Sequence, residues 1–101
     1  MASEGYHEAE GLLSEETKDI HRAIVSLMEE LEAVDWYNQR VDATDNEELR
    51  SILAHNRDEE KEHAAMVLEW IRRRDPAMDK ELREILFTEG EIGHHGGHHE
   101  A

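Results

Sequence analysis

The sequence contains no cysteine, and that absence excludes several kinds of site at once. Without thiols the chain forms no disulfide, and it offers neither a thiolate nucleophile nor a sulfur ligand for zinc or an iron–sulfur cluster. It also has a single proline, and it has no apolar run near the roughly 20 residues that a membrane-spanning helix needs. With 37% charged and 38% hydrophobic residues, the composition predicts an all-α protein without a membrane span.

Positive charge is also scarce. The 11 Lys and Arg residues face 26 Asp and Glu residues, which gives a formal net charge of −15. We expect no nucleic-acid partner, because nucleic-acid-binding proteins need a basic stripe to meet phosphate. An acidic surface suits cations or a basic partner instead. The N-terminal segment MASEGYHEAEG does not have the features of a signal peptide, so a cytoplasmic location is expected.

Helical signals divide the chain into three parts, which we place at residues 1–13, 14–90 and 91–101. The first part is polar and contains glycine, so it is expected to be flexible. In the second part, Ser14 followed by Glu15 predicts the capped start of a helix of about 27 residues. The last part ends in HHGGHHEA and is expected to be a disordered His-rich tail that could chelate metal.

The domain at 14–90 is predicted to hold two long helices and a short one. Apolar residues recur at spacings of three, four and seven in the first helix, which indicates one apolar stripe. The segment VDATDNEEL interrupts this stripe, and Thr44 with Glu47 predicts a capping box that starts the second helix. Pro76 ends the second helix, and a short third helix is expected to close near Gly90.

Two such helices form an antiparallel hairpin that cannot enclose a core, because each helix keeps half of its apolar stripe in contact with water. Most helical stability in proteins comes from packing that stripe. A small chain with so little to bury generally oligomerises. We therefore predict that two copies dimerise, so that two hairpins make a ferritin-like four-helix bundle.

Polar residues interrupt the apolar stripes of both long helices. Glu60 and His63 are three residues apart, hence on one face of the second helix, in the middle of its stripe. Glu30 lies at the edge of the stripe of the first helix, near the helix midpoint. Burying an unpaired carboxylate costs several kcal/mol, so something must compensate these charges.

One Glu on one helix and Glu-x-x-His on the next is half of the ligand set that ferritin-like di-metal carboxylate proteins use. A two-fold dimer would supply the other half. Four carboxylates, from Glu30 and Glu60 of each chain, would then balance two divalent cations, while His63 binds as a neutral imidazole. Oxygen and imidazole ligands favour iron(II) or manganese(II), and zinc can compete. The pattern predicts a dinuclear metal site at a dimer interface.

Other polar and aromatic residues of the first helix have two interpretations that the sequence leaves open. Glu29, Glu32 and Trp36 form a second cluster, on a face about 100° from that of Glu30. This cluster could pass cations inward, or it could be an ordinary acidic surface. Tyr37, one heptad after Glu30, could hydrogen-bond a ligand, donate an electron or simply pack.

Three segments closely resemble the encapsulated ferritins of bacteria and archaea: HRAIVSLMEELEAVDWYNQRV, ILAHNRDEEKEHAAMVLEWIRR and LFTEG. The resemblance covers about residues 14–90. It implies a ferroxidase with two antiparallel helices and a short C-terminal helix, in which two chains form a di-iron centre at their interface. It also implies that dimers build an annular decamer inside an encapsulin shell, and hence a location within a cytoplasmic nanocompartment.

Carried over residue by residue, the resemblance implies roles at the candidate di-iron centre. Glu30, Glu60 and His63 match the iron ligands, with Glu60 as the bridging carboxylate. Tyr37 matches a tyrosine that lies beside those ligands. Calcium or zinc could occupy the metal sites in place of iron.

The resemblance also implies a role for the second cluster, because Glu29, Glu32 and Trp36 match the surface site at which metal enters. The shell association, in contrast, rests on the resemblance alone. The family normally ends in a short peptide that docks on the shell, and the tail GEIGHHGGHHEA contains no apolar–basic sequence of that kind.

The expected function is therefore oxidation of Fe(II) to Fe(III) by O2 at the interfacial site, which feeds iron mineralisation inside the shell. The alternative is a non-catalytic, metal-stapled helical assembly module, in which the same ligands hold zinc or calcium only to fix the dimer. Structural zinc sites are usually tetrahedral and rich in cysteine, which argues mildly against this alternative. A metal-free helical scaffold with solvated glutamates is the third possibility.

Overall fold

Three α-helices and one short 3-10 helix make up residues 5–93, the part of the chain that the structure, a computed structural model, describes. The 3-10 helix spans Glu10–Leu12, and the α-helices are α1 (Glu15–Ala43), α2 (Glu47–Arg74) and α3 (Pro76–Ile85). These residues contain no strand, which confirms the predicted all-α class. None of the helices among them is long and apolar enough to cross a membrane.

The start of α1 is where the sequence predicts it, because Ser14 is the N-cap. The Ser14 hydroxyl accepts a hydrogen bond from the backbone N–H of Thr17 at 3.0 Å. Glutamates fill the first turn, where the helix dipole favours negative charge. The helix runs for 29 residues and closes where the N–H of Thr44 donates to the carbonyl of Arg40.

The start of α2 differs from the prediction, because its N-cap is Asn46. The Asn46 side-chain oxygen accepts a hydrogen bond from the N–H of Leu49 at 2.8 Å. Thr44 is the C-cap residue of α1, and its hydroxyl accepts from the N–H of Asn46 at 3.2 Å. The predicted capping box of Thr44 with Glu47 is therefore wrong. The Thr44 side chain stabilises the turn, and the side chain of Asn46 caps the first turn of α2.

A single residue, Asp75, connects α2 to α3. It is the C-cap of α2 and the N-cap of α3, and its carboxylate accepts a backbone N–H from the first turn of α3 at 3.0 Å. Pro76 follows at the start of α3, where its missing N–H costs no hydrogen bond because the first N–H groups of a helix have no acceptor within the helix. The helix ends at Ile85, earlier than the predicted closure near Gly90, which instead lies in a later bend with a φ of 91°.

An ion-pair network holds α3 against α2. Arg72 donates to both carboxylate oxygens of Glu69 at 2.7 Å, and it also donates to Asp79 on α3. Hydrogen bonds from Arg72 and then Arg73 lower the pKa of Glu69 to about 2. Hydrogen bonds from Arg72 and then Arg83 lower the pKa of Asp79. The sequence analysis did not predict this network, because its central arginine pairs with carboxylates on two different helices.

The antiparallel packing of α1 on α2 buries very little. Within residues 5–93, the buried hydrophobic residues are Ala64, 7% exposed, and Ile71, 3% exposed. Large apolar side chains of the same two helices stay more than a third exposed: Ile24, Leu31, Trp36, Leu49, Ile52 and Met66. One chain therefore leaves much of its apolar surface only partly covered. This supports the predicted dimer, which itself stays a prediction.

The segment before α1 lies against that helix. The ring of Tyr6 is 4.9 Å from the ring of His21, and Lys18 Nζ is 3.5 Å from the carboxylate of Glu10. The domain boundaries at residues 14 and 90 and the flexibility of the first 13 residues stay predictions. Most of the His-rich tail, from residue 94 onward, lies outside the described residues.

Candidate metal centre

Glu30 lies at the middle of α1 with one carboxylate oxygen shielded from water. Its Oε1 atom is buried and has no hydrogen-bond partner among residues 5–93. Desolvation raises the pKa of the Glu30 carboxyl. The charge of His63 lowers this pKa, and the charges of the Glu60 and Glu29 carboxylates raise it further. Because buried polar groups in native proteins are nearly always paired, this oxygen points to a partner that one chain does not supply.

Glu60 and His63 lie on one face of α2, close enough to Glu30 for their charges to act on it. His63 Nδ1 is 3.5 Å from Glu60 Oε1, as expected for side chains three residues apart on a helix. The His63 side chain is 48% exposed and that of Glu60 is 27% exposed, so both can be reached from outside the hairpin.

Antiparallel packing is what places the three residues together. The midpoint of α1 lies beside the midpoint of α2, so Glu30 comes near two residues that are 30 or more positions away in the sequence. We call Glu30, Glu60 and His63 the trio. The structure thus brings these sequence-predicted residues to one region of the hairpin, and their role as metal ligands stays a prediction.

The positive side chains nearest the trio have other partners. The α1 helix has no Lys or Arg between Arg22 and Arg40. On α2, Arg57 Nε donates to the Asp58 carboxylate at 3.0 Å, and Lys61 Nζ lies 3.4 Å from the same group. The charged groups that act on Glu30 are accordingly two carboxylates and one imidazole. The acidic region is left without a guanidinium or ammonium group to balance it, among the side chains that the structure describes.

The donor set fits a divalent cation, but one chain does not complete it. Carboxylate and imidazole groups together suit iron(II), manganese(II) or zinc. Across residues 5–93, no group of three or more His, Asp or Glu side chains is placed to hold a metal ion alone. The trio is therefore a partial site, and the unpaired Oε1 of Glu30 is the atom that an added cation would satisfy.

Tyr37 packs toward the end of the hairpin in the single chain. The guanidinium carbon of Arg40 is 5.2 Å from the centre of its ring, a cation–π contact. Seven residues of helix separate Tyr37 from Glu30, a rise of about 10 Å. The structure therefore places this tyrosine against Arg40 and does not place it against the candidate ligands of the same chain.

The second cluster lies next to the trio on the outer side of α1. Glu29 is exposed, Trp36 is 49% exposed and Glu32 is partly buried. Glu29 is near enough to Glu30 to raise its pKa, so the two acidic groups are adjacent. This geometry fits a path for cations and also fits an acidic surface, and the role of the cluster stays a prediction.

The sequence analysis missed one hydrogen bond close to the trio. Arg57 Nη1 donates to Asn38 Oδ1 at 3.0 Å, and this bond joins α2 to α1 one turn from Glu60. Nothing in the spacing within either helix indicates it, because the two residues meet only when the hairpin closes.

A family model described as EncFtn-like matches residues 5–89. The chain is 65% identical over 92 residues to a protein of Rhodospirillum rubrum named encapsulated ferritin-like protein, covering 91% of this chain and 66% of that one. It is 46% identical over 57 residues to an encapsulin nanocompartment cargo protein of Myxococcus xanthus, covering 56% of this chain and 44% of that one. The chain thus spans less than two thirds of the length of both relatives.

A solved structure shares the fold. The crystal structure of a protein from Nitrosomonas europaea matches with a TM-score of 0.85 at 69% identity, covering 89% of this chain and 99% of that one. The arrangement of two long helices and a short one is therefore an architecture already seen in a closely similar sequence.

Proposed function

The chain belongs to the EncFtn-like family, and we propose that it is a ferroxidase that oxidises Fe(II) to Fe(III) with O2. Two chains pair through the uncovered faces of α1 and α2, so that the trio of one chain meets the trio of its partner. The completed set binds two Fe(II) ions as substrate. The observation that carries the proposal is the buried Oε1 of Glu30, because no donor among residues 5–93 satisfies it and a bound cation would.

Charge balance supports two ions per dimer. Glu30 and Glu60 contribute two carboxylates per chain, hence four negative charges per dimer, and two divalent cations neutralise them. His63 contributes a neutral nitrogen. Since its Nδ1 lies toward Glu60, Nε2 is the nitrogen directed elsewhere and available to a metal ion.

In this mechanism the residues of the chain bind Fe(II), orient it and deliver it to the site. Glu60, Glu30 and His63 of the two chains would hold the two Fe(II) ions, with Glu60 as the shared carboxylate. Bound there, each ion would give up one electron, and O2 would accept both electrons together with two protons from solvent. We assign to Tyr37 the role of orienting a ligand at the centre of the assembled dimer. Glu29, Glu32 and Trp36 collect Fe(II) at the surface and pass it to the adjacent carboxylate of Glu30.

We further propose that the dimers assemble into an annular decamer that is carried inside an encapsulin shell, within a cytoplasmic nanocompartment. The Rhodospirillum and Myxococcus relatives are named as encapsulated and as encapsulin cargo, and this supports a shell protein as partner. An open hairpin in which residues 5–93 include two buried hydrophobic residues does not by itself enclose space for mineral, so a separate container is needed.

The test is anaerobic addition of Fe(II) to metal-free protein, followed by air. Native mass spectrometry counts irons and subunits, and ferric absorbance follows oxidation. We expect two irons per dimer and oxidation faster than in a protein-free control. Failure to bind iron in a fixed ratio to subunits would overturn the di-iron site.

The second candidate function is a metal-stapled assembly module, in which zinc or calcium occupies the same ligands without turnover. The geometry of the trio serves either role, because a divalent cation of any kind would satisfy Glu30. Tight, stoichiometric metal binding without oxidation of Fe(II) would favour the staple. Indifference of assembly and stability to a chelator would favour a metal-free scaffold.

A further inference from the structure

Arg57 is the cation best placed to interfere with the trio. It precedes Glu60 by three residues, and side chains at that spacing on a helix are neighbours. The α1 helix offers no Lys or Arg between Arg22 and Arg40, so the competition for Glu30 and Glu60 within the described chain comes from α2. A guanidinium pairs with a carboxylate through two parallel hydrogen bonds, which would occupy the oxygens that a metal ion needs.

The structure holds that guanidinium elsewhere. Nη1 of Arg57 donates to Asn38 Oδ1 at 3.0 Å, and Nε donates to Asp58 Oδ1 at 3.0 Å. The side chain is 22% exposed, so it is partly shielded from solvent where it reaches from α2 to α1. Asn38 is eight residues beyond Glu30 along α1, which is about 12 Å toward the end of the hairpin. The hydrogen bond to Asn38 therefore draws the positive group away from the trio.

We propose that Asn38 is a positioning residue that keeps the Arg57 guanidinium off the carboxylates of Glu30 and Glu60, so that they stay free for a divalent cation. The inference rests on the proposed metal site and adds a residue that determines its affinity. Asp58 contributes by holding Nε, and it also holds Lys61, the other cation beside Glu60 in the sequence. The cations near the centre are thereby committed to partners that are not ligands.

Cobalt(II) binding to the assembled, metal-free protein tests this proposal without relying on oxidation. Affinity is measured by calorimetry, and the visible absorption of bound cobalt(II) reports its ligands. We expect Asn38→Ala to weaken binding about tenfold, because the freed guanidinium competes for the carboxylates. Removing the competitor as well, in Asn38→Ala with Arg57→Gln, should restore the affinity to within about twofold of the original protein and restore the spectrum.

Gln39→Ala is the matched control. Gln39 also makes one exposed side-chain hydrogen bond, from Nε2 to Asp35 at 3.1 Å on the same helix, but it holds no arginine. This variant should keep the cobalt(II) affinity and spectrum unchanged. Thermal unfolding of each variant in chelator shows whether the helices themselves are disturbed.

The outcomes separate the proposal from its rivals. If Arg57→Gln alone weakens binding as much as Asn38→Ala, the hydrogen bond acts by holding the helices together and the proposal is overturned. Unchanged affinity in Asn38→Ala overturns it as well. If the original protein binds no cobalt(II), the metal site of the proposed function fails first, and the role of Asn38 fails with it.

Discussion

Glu30 on α1 and Glu69 on α2 are two glutamates of the same small hairpin whose pKa values move in opposite directions. At Glu69, hydrogen bonds from Arg72 and Arg73 lower the pKa to about 2. At Glu30, desolvation raises the pKa, and the charged groups that act on it are His63 and two carboxylates, with no Lys or Arg among them. The charge of Glu69 is paired with guanidinium groups, and within residues 5–93 that of Glu30 is not.

The difference shows how the chain distributes its few positive charges. Among the three arginines that end α2, Arg72 and Arg73 pair with Glu69, and Arg72 also pairs with Asp79 on α3. In the middle of the hairpin, no Lys or Arg of the described residues acts on the Glu30 carboxylate. A carboxylate that is fully paired inside the chain serves structure, whereas one that is desolvated and unpaired is suited to take up a cation from outside.

Substitution of Glu60, the proposed bridging ligand, should have the largest effect on the rate of Fe(II) oxidation. We expect Glu60→Ala to lower the rate of Fe(II) oxidation by about 100-fold or more, because loss even of groups that only support a metal ligand costs 10–100-fold. Glu69→Gln is the control, since it removes a glutamate that is paired within the chain. Stopped-flow ferric absorbance should show that this control keeps its rate. Equal loss in both variants would contradict the distinction between the two glutamates.

Substitution of Glu30 should stabilise the metal-free protein and at the same time remove its activity. A raised pKa means that the folded state favours the protonated carboxyl, so stability falls as pH rises above about 4.5 through the raised pKa. Glu30→Gln removes this loss, and we expect it to raise the melting temperature at pH 7 in chelator by about 4 °C. The same variant should lose iron oxidation. A lower melting temperature would show that the Glu30 charge is stabilised within the chain.

The attachment of α3 should weaken in acid. The lowered pKa values of Glu69 and Asp79 give stability that is present above their ordinary values near 4 and is lost as pH falls below those values, for Glu69 toward about 2. Hydrogen exchange of the α3 amides between pH 5 and pH 2 should therefore accelerate more than that of α1. Arg72→Gln should show faster α3 exchange already at pH 7, with a flatter dependence on pH. An α3 that exchanges alike in both proteins would refute the network's role.

The smallest effect is expected at the second cluster. Glu32→Ala should slow the oxidation of Fe(II) by roughly two- to fivefold and leave the number of irons bound per dimer unchanged, since a surface carboxylate that attracts cations changes rate more than affinity. Stopped-flow kinetics at low iron concentration will show this most clearly. Inactivation as complete as that of Glu60→Ala would assign Glu32 to the centre itself.

Periodicity within each helix predicted most of the fold. The Ser14 cap, the two long helices and the break at Pro76 are local signals, and the structure has them. The prediction of a Thr44 capping box was wrong because Thr44 and Asn46 are both residue types that cap helices, and only the conformation of the turn selects Asn46. The end of α3 was placed too late, because a turn at residues 86–87 already ends the helix and Gly90 lies in a bend beyond it.

The candidate site was predictable where it depends on spacing along one helix. The i,i+3 pair of Glu60 and His63 and the central place of Glu30 follow from the sequence. The hydrogen bond between Asn38 and Arg57 does not, because it joins two helices whose register is known only once they pack. The contact of Tyr37 with Arg40, in contrast, was within reach of spacing, because the two residues are three apart on α1.

The single residue between α2 and α3 leaves the chain no slack at that point. Asp75, with φ of −131° and ψ of 96°, alone sets the direction in which α3 leaves the hairpin, and capping bonds bind it to both helices. This short connection holds α3 in a fixed direction relative to α2. A force applied to α3 by any molecule that docks there is transmitted to the last turn of α2, the helix that carries Glu60 and His63.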